Sequence, residues 1–507
     1  MPIDSTELYE NLSSKNPSNA TEHIRNSSSK AGGRTASFTL ISAAPPSKLP
    51  KAIGTVDLGA DFIAVTAAVF LAYSAYCGLQ LGRHVSYHIS QMAVVACSVA
   101  LFYVLMLRAN GAYTLATSLL RVRETERVIA ASSQLCFFAF AVSFWAELHF
   151  SRLVFLLAAV FIPMLVLAEK QAIYVFVHSL YTRKCTTRRT VVYGGGLSGK
   201  RALTVLARSP KLGLNPIAVV DNDANLIGTN ISESAYAPSR CLKVLPGPVT
   251  AEMLRKLSAE VVVISSPSIN AETFAQIGGA AAAAGATLLF VPYDNVIHNA
   301  ALSYWNADGL IFASVEEQQT STIYGHLKRA FDFSVALLLL GWLFPLLIVI
   351  GVAIRWTSHG PALFKQERVG KNGRRFALYK FRTMDVAAPH YALSPTSSLD
   401  PRITKIGAFL RRTSLDEIPQ LLNVLKGDMS LVGPRPEMPF IVEQYNALHR
   451  QRLRVEQGIT GLWQISADRA YSIHENIQYD LYYIHHRNFF MDLAILLHTI
   501  VFATRGI

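Results

Sequence analysis

Apolar positions in this chain gather into long blocks, separated by polar stretches whose character changes along the sequence. Residues 1–50 hold no apolar run and are rich in Ser, Asn, Thr and Pro. Such a segment buries too little to offset the entropy of ordering, so a disordered tail is expected. No hydrophobic stretch follows the amino terminus, which argues against a signal peptide. Four apolar runs come next, at 62–81, 89–107, 128–145 and 153–168, the last continuing through Glu169 and Lys170 into IYVFV. Each approaches the ~20 residues that cross a hydrocarbon core. They predict a four-helix transmembrane unit over residues 51–180.

From residue 190 the blocks shorten and the period changes. TVVYGGG (190–196) reads as a strand entering a glycine turn, KRALTVLAR as a helix, and PIAVVD as a second strand ending at Asp221. Gly194, Gly196 and Gly199 fit the GxGxxG spacing that brings a phosphate to a helix amino terminus, a possible ligand loop. VVVISSP and TLLFVPYD add strands around an alanine-rich helix at 271–285. A Rossmann-like α/β domain over 181–323 follows. The same fold also serves packing or dimerisation without a ligand, and the fingerprint alone does not choose.

Residues 333–354 form a further uncharged run of spanning length, with Pro345 between Gly341 and Gly351. Charge decides how these runs are threaded. The chain carries a net charge of +13, with 16% charged and 51% hydrophobic residues. Loop 108–127 holds Arg108, Arg121, Arg123 and Arg127, and the stretch after the fourth run holds Arg183, Lys184, Arg188 and Arg189. The two other loops offer only Arg83 and Arg152. The positive-inside rule therefore sets both ends of the four-helix unit in the cytoplasm. Around 333–354, Lys328 and Arg329 precede the run while Arg355, Lys365, Arg368, Lys371, Arg374, Arg375, Lys380 and Arg382 follow it. A crossing would carry one basic cluster outside, so a re-entrant helix broken at Pro345 is expected instead. The ten basic residues of 326–384, against two acids, suit anionic headgroups or a phosphorylated substrate. No nucleic-acid module accompanies them, so no nucleic-acid partner is expected. The five cysteines form no CxxC pair, and neither a disulfide framework nor a zinc site is indicated.

Within this basic setting SLDEIPQLL (414–422) sets Asp416 beside Glu417, with Arg411 and Arg412 before them and GPRPE (433–437) after. Alone, two acids and a proline are an ordinary helix start. The wider context is more specific. KRAFD (328–332), the apolar hairpin, FKQERVGKNGRRFALYKFRTM (364–384), DPRITKIGAFLRRTSLDEIPQLLNVLKGDMSLVGPRPE (400–437), GITGLWQIS (458–466) and DLYYIHHRNFFMDLAILLHT (480–499) closely resemble the bacterial sugar transferase family. Its members are monotopic polyprenol-phosphate glycosyl-1-phosphate transferases, and the resemblance covers 324–507. The preceding architecture resembles the long-form members that start exopolysaccharide or O-antigen units.

That resemblance implies a membrane protein made of a four-helix transmembrane unit, a Rossmann-like cytoplasmic domain and a mainly α monotopic catalytic domain. It implies transfer of hexose-1-phosphate from a UDP-sugar, glucose or galactose, to undecaprenyl phosphate, with UMP released. The reaction would occur at the cytoplasmic face of a bacterial inner membrane. By the family pattern Asp416 is the nucleophile and Glu417 its acidic partner, associated with Mg²⁺. Arg435, Lys380 and Arg382 are expected at phosphate or nucleotide, with Arg368 and Gln366 in a similar basic loop. Pro345, Asp332 and Arg329 take structural roles around the re-entrant helix. A homodimer through the Rossmann-like domain is also implied, with that domain architectural or regulatory.

The chain departs from the family pattern at Gln457, which precedes GITG where proline is frequent, and at Ala467 and Asp468, which delay Arg469 by one position. Sugar preference therefore cannot be carried over. Two rival readings remain open. Tyr324 and Lys328 have the YxxxK spacing of nucleotide-sugar dehydratases and epimerases, and a membrane scaffold with an inactive catalytic domain is the non-enzymatic reading. A zinc-peptidase reading fails, because His474-Glu475 is followed by Gln478 where histidine is required.

Overall fold

The computed structural model describes residues 48–79, 87–113, 121–145, 151–182, 188–208, 214–232, 241–266, 269–291, 301–307, 310–316, 322–388, 400–466 and 477–503. Residues 1–47 of the expected tail, and the 467–469 departure, lie outside them.

Helices α1 (Lys48–Leu79), α2 (Ile89–Ala109), α3 (Arg121–Trp145) and α4 (Arg152–Thr182) share one apolar core. Val65, Ala68 and Val69 of α1 meet Met92, Ala96 and Tyr103 of α2, Val128 and Ala131 of α3, and Ile162 and Val166 of α4. Their outward faces expose Ile63, Leu101, Phe140 and Val160, a surface suited to lipid rather than water. Among the described residues, four helices are long and apolar enough to cross a membrane: Thr55–Leu79, Ile89–Ala109, Leu153–Phe176 and Ile323–Thr357. Helix α3 carries Arg121, Arg123, Glu124, Glu126 and Arg127 in its first two turns, ahead of the uncharged stretch 128–145.

The charge inside α4 is paired. Lys170 Nζ lies 2.8 Å from Asp57 Oδ1 and 2.6 Å from Asp61 Oδ2, both on α1, and Tyr113 donates to Asp61 at 2.7 Å. A charged residue among apolar helices needs such a partner, and this one fixes the register of α1 against α4.

Strands β1 (Arg188–Tyr193), β2 (Leu214–Asp221), β3 (Asn230–Ser232), β4 (Cys241–Pro246), β5 (Val261–Ile264) and β6 (Thr287–Phe290) form a sheet in the order β3-β4-β2-β1-β5-β6. All its pairings are parallel except β3 with β4. Val191, Val192, Val262 and Val263 are buried in series, as expected for strands covered on both faces by α5 (Leu197–Arg208), α6 (Ala251–Lys256) and α7 (Ala271–Ala284). The glycine turn follows β1, where the strand order reverses. Strands β7 (Ala301–Ala307) and β8 (Leu310–Glu316) pair as an antiparallel hairpin.

Helix α8 runs unbroken from Thr322 to Thr357, through Pro345. The expected break is thus not an interruption of the helix. Proline removes one hydrogen bond, and a long helix can absorb that as a bend. Leu338, Trp342 and Val349 are exposed along it. After α8 come an antiparallel hairpin, β9 (Leu363–Val369) with β10 (Arg375–Phe381), then α9 (Lys405–Arg412), a 3₁₀ turn (Leu415–Gln420) and α10 (Leu421–Lys426). Strands β11 (Ser430–Val432) and β12 (Gly458–Thr460) pair in parallel, and α11 (Ile477–His486) and α12 (Phe489–Ala503) close the region. Leu378, Val424, Leu431, Tyr483 and Ile495 form its core, which also takes in Ala336 of α8 and Val122 of α3.

Both ends of α8 are tied to this region. Arg329 donates to the carbonyls of Val424 (2.6 Å) and Leu425 (2.9 Å) at the carboxyl end of α10, where a cation suits the helix dipole. Asp332 accepts from Ser430 at 2.7 Å and forms a longer ion pair, 3.9 Å, with Lys328 one turn before it. At the far end, Ile350 and Ile354 pack with Phe381 and Leu410.

Candidate active site

The acidic pair owes its position to local chain geometry. Thr404 caps α9 by accepting from Gly407 N–H at 3.0 Å. A side chain at Gly407 would overlap the Thr383 carbonyl, so only glycine lets α9 lie this close to the end of β10. After α9, Ser414 adopts a left-handed conformation (φ 56°, ψ 16°), uncommon for a residue with a Cβ. The chain reverses there into the 3₁₀ turn that carries Asp416 and Glu417. Asn423, fully buried, then donates to Ala377 O at 2.7 Å and accepts from Tyr379 N–H at 3.1 Å. This bracket locks β10 beside the acidic turn.

Lys380 of β10 consequently reaches Glu417 Oε1 at 2.7 Å, and Arg435 of the GPRPE loop reaches the same oxygen at 3.0 Å. Burial pushes the Glu417 pKa upward, yet the Lys380 and Arg435 charges overcome it and hold the carboxyl well below its usual range. Asp416 differs. It is 8% exposed, and among the described residues no hydrogen bond reaches its carboxylate. Burial raises its pKa, with Lys380 opposing the rise and Glu417 adding to it. The pair thus divides into an anchored carboxylate and a free, desolvated one, bordered by three cations that include Arg411.

The other expected contacts separate. Arg382 is buried and donates to His359 O at 2.6 Å and Ser358 O at 2.9 Å. It ties down the carboxyl end of α8 rather than joining Lys380 and Arg435. Arg368 donates to Gln366 Oε1 at 2.7 Å and to Pro436 O at 3.2 Å, so both residues brace the GPRPE loop from behind. Tyr324 and Lys328, the YxxxK pair, both donate to Asp492 Oδ2 of α12 at 2.8 Å. Their polar ends serve an anchor for α8. Sequence reading gave no role to Asn423 and Asp492, although both lie inside the family-like segments 400–437 and 480–499; an acid seven residues after His485 in an apolar helix is a cue that Asp492 needed a cation.

In the glycine loop, Gly195 N–H donates to Asp221 Oδ2 at 2.5 Å, and Asp223 N–H donates to Asp221 Oδ1 at 2.9 Å. Asp221 sits where a dinucleotide-binding fold would present an acid to a ribose, but here both oxygens are used by the chain itself. A side chain at Gly199 would overlap the Gly194 carbonyl, whereas one at Gly196 would meet open space. Close packing of helix and strand is therefore a sufficient reason for Gly199.

Among the described residues no group of three or more His, Cys, Asp or Glu side chains is arranged to hold a metal ion. Two adjacent carboxylates remain a fit for Mg²⁺, which is commonly held by one or two carboxylates together with substrate phosphates. The oxygen chemistry of Asp416 and Glu417 suits that ion.

Residues 323–506 match the bacterial sugar transferase family, and residues 108–241 match a CoA-binding domain. The UDP-glucose:undecaprenyl-phosphate glucose-1-phosphate transferase of Escherichia coli (strain K12) is 40% identical over 182 residues, covering 34% of this chain and 39% of that protein. The exopolysaccharide production protein ExoY of Rhizobium meliloti (strain 1021) is 37% identical over 213 residues, covering 38% of this chain and 93% of its own. The uncharacterized sugar transferase EpsL of Bacillus subtilis (strain 168) is 41% identical over 184 residues, covering 36% of this chain and 90% of its own. The chain thus spans less than half of the Escherichia coli relative but nearly all of the two shorter ones. With its acidic pair, basic loop and α8 all inside the matched region, the chain belongs to the bacterial sugar transferase family.

Proposed function

We propose that this protein transfers a hexose-1-phosphate from a UDP-sugar, glucose or galactose, to undecaprenyl phosphate. The reading rests on one arrangement: a desolvated, unbonded Asp416 beside a Glu417 that is neutralised by Lys380 and Arg435. An Asp416 oxygen attacks the phosphorus that bears the sugar. The bond from that phosphorus to the bridging oxygen breaks, and UMP leaves with the oxygen. A phosphate oxygen of undecaprenyl phosphate then attacks the phosphosugar-Asp416 intermediate, releasing the carboxylate and the diphosphate-linked product. A carboxylate needs no base for this, but it must approach an anionic diphosphate. Lys380, Arg435 and Arg411 supply the masking charge. Asp416 and Glu417 would hold Mg²⁺, which when bound adds further neutralisation of the diphosphate.

The names of the relatives support undecaprenyl phosphate as acceptor and polysaccharide initiation as the setting. The basic loops support a cytoplasmic face of the inner membrane. A re-entrant α8 is supported by its two tethers, Arg329 to α10 and Arg382 to Ser358 and His359. A straight 36-residue helix would be about 54 Å long, and a bilayer-spanning one would part its ends across a core of about 30 Å. One small domain holding both ends favours entry and exit by the same face. The Rossmann-like domain is read as architectural or regulatory, and as the site of a homodimer.

The test is to incubate the purified full chain with undecaprenyl phosphate and a panel of UDP-hexoses. UMP and a diphosphate-linked lipid are expected with one of them. Release of UDP would mean direct glycosyl transfer and would overturn the reading.

A further inference from the structure

The GPRPE loop has an unusual accounting of hydrogen bonds. Pro434 and Pro436 supply no N–H groups, so the loop can be held only through its carbonyls and the few remaining amides. Four successive carbonyls are in fact taken. Pro434 O accepts from Gly458 N–H at 2.8 Å, Pro436 O from Arg368 at 3.2 Å, and Glu437 O from Val369 N–H at 3.0 Å. Between them, Arg435 O accepts from Arg452 at 3.0 Å.

Arg452 is 2% exposed, the largest fully buried side chain of the described residues. Its guanidinium is used on all sides: Nε donates to Asp480 Oδ2 at 2.7 Å, one terminal nitrogen to the Tyr445 hydroxyl, and the other to Arg435 O. Asp480 is equally buried. Gln457, where the family often has proline, donates to the carbonyls of Arg452 and Val455 at 2.9 and 3.1 Å, which fixes the backbone from which Arg452 projects. The peptide joining Arg435 to Pro436 has no donor, so its carbonyl is its single hydrogen-bonding group. Whatever grips that carbonyl sets the orientation from which the Arg435 side chain leaves the backbone.

We propose that Arg452 is a positioning residue for transfer, holding the Arg435 carbonyl so that the Arg435 guanidinium stays on Glu417. The proposal rests on the reaction assigned above, but its geometric half can be read without turnover. Arg452→Ala would leave Asp480 buried without a partner and would confound the result by unfolding. Arg452→Lys keeps a charge for Asp480 and loses the planar fork that serves three acceptors at once. Tyr445→Phe removes one contact of the fork and is the gentler variant.

In the full chain in detergent or nanodiscs, hydrogen exchange of the peptide spanning 430–438 should accelerate at least ~10-fold in Arg452→Lys, a local opening well below global unfolding. The value of kcat for UMP release should fall by about 10- to 100-fold, the scale of a misplacement of about 1 Å, while KM changes less. In an Arg435→Lys background the same change should cost much less, since coupled residues are non-additive. Unchanged exchange at 430–438 overturns the proposal, and so do rate losses that multiply in the double variant. Tyr445→Phe should show the same signature at smaller amplitude, and decides the matter if Arg452→Lys does not fold. Faster exchange in a protein that releases no UMP with any UDP-hexose, even as wild type, would count against the assigned reaction and leave the clamp standing.

Discussion

Lys380 Nζ lies 2.7 Å from Glu417 Oε1, and this contact joins the hairpin that follows the membrane helix to the acidic turn. It explains why acids appear in so basic a region. Replacing Glu417 with Gln leaves Lys380 and Arg435 without their shared anion. Glu417→Gln should lower kcat by ~100-fold or more, raise the Mg²⁺ concentration needed for half activity, and cost roughly 1–3 kcal/mol of stability. A metal titration and a denaturation curve on one preparation check both effects; an unchanged titration removes Glu417 from any metal role.

Asp416→Asn should abolish turnover while leaving membrane insertion intact, since an amide cannot form the acyl phosphate. Trapping of radiolabelled phosphosugar on the wild-type chain, and its loss in this variant, would be the direct measurement. Normal UMP release from the variant would sink the nucleophile assignment.

The pH dependence has a fixed sign. Burial raises the Asp416 pKa, and the proposed attack requires the carboxylate, so activity should be lost as pH falls through that raised value. The acid limb should therefore lie above that of an ordinary aspartate. Lys380 opposes the rise, and Lys380→Met should shift the limb to still higher pH. Lys380→Arg, which keeps the charge, should shift it less. Profiles of kcat against pH for the three proteins test the order.

The glycine loop separates packing from ligand binding. Gly199→Ala forces a Cβ onto the Gly194 carbonyl and should destabilise the domain built on the six-stranded sheet by about 1–3 kcal/mol. Gly196→Ala meets open space and should change stability by under ~0.5 kcal/mol. Hydrogen exchange over 188–208 and UMP release would be measured together. Loss of activity in Gly196→Ala without loss of folding would show the loop to be part of the reaction.

Much of this was readable from the order of residues. Long uncharged runs declare membrane helices because nothing polar interrupts them, and the β1 glycine turn declares itself because close helix packing demands glycine. The acidic pair was legible only through its extended motif, since two acids before a proline suit any helix start. The surroundings of Arg382 and Arg368 were not legible for a physical reason. Both donate to backbone carbonyls, of Ser358 and His359 and of Pro436, and such partners leave no mark in the order of residues. Asp57 and Asp61 escaped notice because their partner, Lys170, lies on another helix far along the chain.

The last prediction concerns how much of the chain transfer requires. Helix α3 begins against the carboxy-terminal region, not beside it: Thr125 shares a 2.9 Å hydrogen bond with His498, Asn488 donates to Glu126 at 2.8 Å, and Val122 enters the same core as Ile495. Removing residues before 322 would uncover that face of α12, whose apolar surface would then turn to lipid or detergent. Relatives such as ExoY and EpsL are covered over 93% and 90% of their own length by 38% and 36% of this chain, and the family match spans 323–506, so the truncated chain should fold, bind membranes and release UMP. It should unfold at lower temperature than the full chain, because a packed apolar contact and two polar ones are lost. Thr125→Val in the full chain, which removes the hydrogen bond to His498, should reproduce part of that shift, by roughly 0.5–1.5 kcal/mol. A parallel cysteine test fixes the topology in both forms: with all five native cysteines replaced, Gly325→Cys and His359→Cys should both resist an impermeant thiol reagent in intact cells, and labelling of one alone would show that α8 spans. A truncation that is folded and membrane-bound but wholly inactive would mean that α3 is a working part of the transfer domain rather than its anchor.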